Sequence, residues 1–96
     1  MNNHVNDQEI RISSEAAASL DEDGIVILDG RGGRLFRSNL AGQLIWRSIE
    51  ERLPFEAIAE RLHSEFQIAR ATAREHTARF LADLERHSLI ARRAER

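Results

Sequence analysis

The hydrophobic period changes at about Asn39, and that change most limits what the chain can become. Before it, apolar residues alternate or come in short bursts, as in strands. After it, they recur every three or four residues, as in helices. The order predicts an α+β domain with segregated halves: a three-stranded antiparallel meander packed on three helices.

Residues 1–8 are polar and without pattern, and read as a flexible tail. The domain is expected over residues 9–90, with a charged tail at 91–96. Glu9 to Ser13 alternates polar and apolar, and is taken as the first strand. Ala16-Ala17-Ala18 is too short a run to assign. Asp21-Glu22-Asp23-Gly24 is an acidic turn. Ile25-Val26-Ile27-Leu28 reads as a central strand with both faces covered. Asp29 to Gly33 is a glycine-rich hairpin connection. Arg34 to Ser38 returns as the edge strand.

Asn39 suits a helix N-cap. The first helix is expected over about Leu40 to Glu51, with Ala41, Leu44, Ile45 and Ile49 on one face and Trp46 at its margin. Pro54 suits the first turn of a second helix carrying Phe55, Ile58, Ala59, Leu62 and Phe66. A third helix is expected over about Arg70 to His87, with Ala73, Thr77, Phe80, Leu81 and Leu84 on one face. Leu89 and Ile90 would pack back. The helical half has the outline of a winged helix-turn-helix.

Several chemistries are excluded. The chain has 96 residues, no cysteine and a net charge of −2. It therefore has no disulfide, thiol nucleophile or cysteine metal site. His4, His63, His76 and His87 lack the spacing of a ligand pair. The acidic turn fails as a calcium loop because its glycine comes too early and Gly32 stands where a bidentate Glu is needed. Gly30-Arg31-Gly32-Gly33 lacks the ending of a phosphate loop, and no G-x-S-x-G exists. Neither catalysis nor a cofactor nor a metal is expected. There is no membrane span and no secretory signal, which fits a cytoplasmic protein.

What remains is the edge. An unpaired strand can accept a peptide as an additional strand through backbone hydrogen bonds. Arg34, Leu35, Phe36, Arg37 and Ser38 form that docking rail, and Arg34 and Arg37 can hold acidic residues of the peptide. Of Leu35 and Arg37, only one is expected to aim its N–H at the peptide. The competing reading is a winged-helix DNA binder using Arg70, Arg74, Arg79 and Arg86. Glu75, Asp83 and Glu85 on the same helix and the negative net charge count against it. An open edge also permits weak dimers beside the monomer.

Four stretches resemble the PqqD-like family of leader-peptide recognition domains. They are Ile25 to Asp29, Gly33 to Asn39, Leu40 to Trp46, and the closing set Ile58-Ala59, Leu62, Phe66, Phe80 to Leu84 and Leu89-Ile90. The resemblance implies a precursor's leader peptide as partner, bound as a fourth strand along Arg34 to Ser38. It places a helical wall alongside, at Ala69, Ala73, His76, Thr77 and Phe80. It also implies a leader peptidase and a maturation enzyme as partners. Stand-alone members resemble either the leader-binding protein of lasso-peptide systems, which is favoured here, or the recognition protein of pyrroloquinoline quinone biosynthesis, which serves a radical enzyme. Three features depart from the family pattern: Ser38, Leu53 and the pair His76-Thr77, where selectivity is expected.

Overall fold

A computed structural model describes residues 8–94; the expected N-terminal tail falls almost entirely outside them. The elements are β1 (Gln8–Ile12), β2 (Ala16–Asp21), β3 (Gly24–Asp29), β4 (Arg34–Ser38), α1 (Leu40–Glu50), α2 (Phe55–Phe66), α3 (Arg70–Arg86) and β5 (Ile90–Ala94). The three-stranded antiparallel sheet runs β2-β3-β4, and β1 pairs with β5 in a separate two-stranded ribbon.

Two assignments differ from expectation. The meander's first strand is Ala16–Asp21, not Glu9–Ser13. Its alanines have little strand propensity, but pairing with β3 supplies the hydrogen bonds that decide the matter. Glu9–Ser13 instead supplies most of β1, whose partner β5 occupies the stretch expected to be a charged tail. There Ile12 sits opposite Ile90, and Ile10 opposite Arg92. Arg92 reaches Glu85 of α3 at 2.9 Å.

The core lies between the inner face of the main sheet and the helices. Ile25 and Ile27 of β3 meet Ile45, Trp46 and Ile49 of α1, Ile58 and Leu62 of α2, and Leu81 and Leu84 of α3. Cross-strand pairs share a face, so Ile27 lies beside Ala18 and Phe36, and Ile25 beside Leu20 and Ser38. Val26, Leu28, Leu35 and Arg37 occupy the outer face.

The strand-to-helix junction is built around Asn39. Its Oδ1 accepts the Gly42 N–H at 3.0 Å, satisfying one donor of the first helical turn. Such a cap contributes about 1 kcal/mol. From the same turn, Gln43 Nε2 donates to the carbonyls of Asp21 (2.8 Å) and Gly24 (2.6 Å), tying α1 to the β2–β3 turn. Each helix is followed by a non-glycine residue at positive φ: Arg52, Gln67 and Ser88. At the end of α3, Leu89 N–H reaches Leu84 O at 2.9 Å, which turns Leu89 back into the core.

Candidate peptide-docking site

The hydrogen-bond parity of the sheet fixes what β4 offers to solvent. The Gly30 N–H donates to Glu15 O at 2.9 Å, one step beyond the Ala16–Asp29 pair. Even-numbered residues of β3 therefore bond towards β2, and Ile25, Ile27 and Asp29 bond towards β4. Their partners are Ser38, Phe36 and Arg34. The N–H and C=O groups of Leu35 and Arg37 consequently point the other way, along the free edge. Residues two apart in a strand share a direction, so both N–H groups face out; the expectation of only one is corrected.

Among the described residues both β2 and β4 have one unpaired edge. Only that of β4 runs beside a helical wall. The Phe36 ring meets Phe80 edge-on with centroids 5.8 Å apart, and His87 with centroids 5.0 Å apart. These contacts set Phe80 of α3 and His87, its C-cap, against β4; at spacings of four, three and four, His76 and Asp83 fall on the same stripe. A peptide on the β4 edge would turn alternate side chains towards this stripe.

The predicted wall residues divide accordingly. Ala69 and His76 are exposed and Phe80 is half-buried. Ala73 and Thr77 have 0% exposure and lie in the helix's core stripe, where Thr77 Oγ1 donates to Ala73 O at 2.8 Å. Neither offers surface to a ligand, so the expected selectivity at His76-Thr77 narrows to His76. Asp83 and His87 lie on the same stripe and were not among the residues expected from the sequence. Both continue the His76–Phe80 spacing, and that continuation was the available signal. Of the rail residues, Arg34, Phe36 and Ser38 take the inner face, while Leu35 (56% exposed) and Arg37 take the outer.

This assignment separates two residues adjacent to the groove. Phe80→Ala removes the wall opposite Phe36 and should weaken peptide binding about tenfold, roughly the value of one lost aromatic contact with its buried area. Thr77→Val should leave affinity unchanged, because the side chain meets no peptide. Calorimetric titration of the two variants checks both.

The arginines of α3 are committed to carboxylates. Arg70 forks onto Glu60 with both contacts at 3.0 Å. Arg74 pairs with Glu56, Arg79 with Glu75 at 3.3 Å, and Arg86 with Asp83. Hydrogen bonding from Arg70 holds the Glu60 carboxyl below its ordinary pKa, and Arg61 does the same for Glu51. A face neutralised in this way makes a poor phosphate-binding stripe. Among the described residues no three His, Asp or Glu side chains gather as metal ligands, and no helix is long and apolar enough to cross a membrane.

The family model for coenzyme PQQ synthesis protein D (PqqD) matches residues 24–90. The chain belongs to the PqqD family. The match runs from β3 to the first residue of β5 and so contains both β4 and the α3 stripe, while β1 and β2 lie before it. Two solved structures share the fold of this PqqD-family chain. The structure described as TbiB1 in complex with the TbiA(beta) leader peptide is 26% identical, with TM-score 0.77, and the alignment covers 83% of this chain and 93% of that one. A lasso peptide synthetase B1 complexed with the leader peptide is 25% identical, with TM-score 0.78 and coverage of 86% and 98%. No curated protein matches the sequence.

Proposed function

We propose that this PqqD-family chain captures the leader segment of a ribosomally made precursor peptide by strand addition to β4, and delivers it to processing enzymes. The observation that carries the reading is the outward pair of backbone groups at Leu35 and Arg37, set beside the partly exposed α3 stripe. Two similar structures that hold leader peptides support it. The chain acts as a non-catalytic adaptor, as a monomer or weak dimer, in the cytoplasm where precursors are synthesised. Lasso-peptide biosynthesis is the favoured setting, with a leader peptidase and a cyclase as recipients. The second setting is delivery of a peptide to a radical enzyme in pyrroloquinoline quinone-type biosynthesis; the family's description as a coenzyme PQQ synthesis protein is in keeping with that pathway.

Strand addition joins the rigid edge of a preformed sheet to an extended peptide, so the backbone supplies affinity and side-chain pockets supply selection. A precursor reading frame found beside this chain's own should encode a leader segment that binds one-to-one and saturably, and a cyclase or a radical enzyme encoded with it separates the two settings. Duplex DNA at low salt should not bind. Duplex binding that falls steeply with salt, with no leader binding, would reverse the assignment.

A further inference from the structure

A cleft lies where the β3–β4 turn meets the end of α3, beside the first residue of the docking rail. Asp29, Arg31, Gly32 and Arg34 form one wall, and Arg86, His87 and Ser88 the other. We propose that it is a carboxylate subsite, in which Arg34, flanked by Arg31 and Arg86, takes an Asp or Glu side chain of the docked peptide. The proposal rests on strand addition to β4 and names a side chain that the strand must carry.

The walls are held together. Arg31 Nη2 donates to Ser88 O at 3.1 Å, across 57 residues of chain, which ties the turn to the helix end. Asp29, with 18% of its side chain exposed, is already engaged: its Oδ1 accepts the Arg31 N–H at 3.1 Å and lies 3.6 Å from Arg31 Nε. Arg34 stands opposite Asp29 in the strand register. Its Nε lies 3.8 Å from where a Cβ on Gly32 would sit, so the side chain folds over a position that has none of its own. Among the described residues Arg34 makes no side-chain hydrogen bond or ion pair. Arg86 pairs with Asp83 outside the lining.

The lining thus sets three guanidinium groups against one carboxylate, in a chain whose net charge is −2. A guanidinium presents a planar fork of donors that fits a carboxylate. A strand docked on β4 lies about 4.8 Å beyond it, on the side of the α3 stripe. One of its inward side chains then falls between Arg34 and the end of α3. Arg37 does not share this role, because its side chain lies on the outer face.

The test is selection of a displayed library of random twelve-residue peptides on the full chain and on Arg34→Gln. Hydrogen exchange at Leu35 and Arg37 identifies the peptides that dock on β4. Those selected on the native chain should carry Asp or Glu at one fixed position. Changing that residue to Gln or Asn should weaken binding roughly fivefold, the upper range for a solvent-exposed ion pair. On Arg34→Gln the acidic preference should vanish and the two peptides should bind equally, while Arg47→Gln, on α1, should keep the preference. Matching thermal melts exclude a folding defect. Peptides that protect Leu35 and Arg37 without any acidic preference overturn the subsite and leave strand addition standing. A library that yields no peptide docked on β4 overturns both.

Discussion

A proline at Leu35 or at Arg37 is expected to weaken leader binding by roughly ten- to a hundredfold while the domain stays folded. Both residues belong to an edge strand and aim their N–H groups away from β3, so neither substitution removes a ladder hydrogen bond. Each removes one donor that an incoming strand needs, and sets a ring against the strand's carbonyl. One lost hydrogen bond is worth about 0.5–1.5 kcal/mol, and the ring's clash adds to it, which gives the stated range. Leu35→Ala and Arg37→Ala keep the N–H and should weaken binding far less. Proline at Phe36 should behave differently: its N–H bonds to β3 and its ring packs on Phe80 and His87, so the sheet itself should weaken. Circular dichroism melts beside calorimetric titrations separate the two classes. Equal binding by Leu35→Pro and Leu35→Ala would show that the edge backbone is not used.

The second large effect is structural. Gly24→Ala should lower the melting temperature by about 15 °C. Gly24 has φ +151°, and a Cβ there would sit 2.1 Å from Ser38 O and 2.9 Å from the Cα and C atoms of Asn39. Those atoms are backbone and cannot swing aside. They belong to the end of β4 and the cap of α1, so the strain falls on the junction that positions the β4 edge. Overpacking together with an unfavourable backbone region costs about 3 kcal/mol. A domain of this size shifts by about 4–8 °C per kcal/mol. Gly33→Ala is the comparison: φ is +68°, but nothing lies within 4 Å of an added Cβ. It should cost only the left-handed penalty of about 1–2 kcal/mol.

The period change at Asn39 located the strand-to-helix junction because it reflects burial geometry directly. Helix ends came within a residue or two for the same reason: stripes such as Ile58, Ala59 and Leu62 are the core. β2 was unreadable because an alanine-rich strand, exposed over most of its length, carries no alternation; its only instruction is the unpaired side of β3. β5 was hidden because Arg92 and Arg93 look like tail, although Ile90 and Ala91 pair with Ile12 and Arg11 at the other end of the described chain. The edge position of Arg34 to Ser38 could be read from its place in the meander. Which of its residues point outward depends on hydrogen-bond parity, which only pairing shows. Ala73 and Thr77 were placed in the groove by the family resemblance, which locates a stretch of this helix but not which side of it faces β4; both belong to its apolar stripe. The core takes that stripe, and the groove receives its margin.

Amide hydrogen exchange with and without a bound leader segment distinguishes strand addition to β4 from every other mode of binding. Exchange should slow on binding at Leu35 and Arg37, change little at Phe36, which is already bonded to β3, and stay the same at Ala18 and Leu20 on the opposite edge. Unchanged exchange at Leu35 and Arg37 under saturation, or protection appearing on β2 instead, would contradict strand addition to β4.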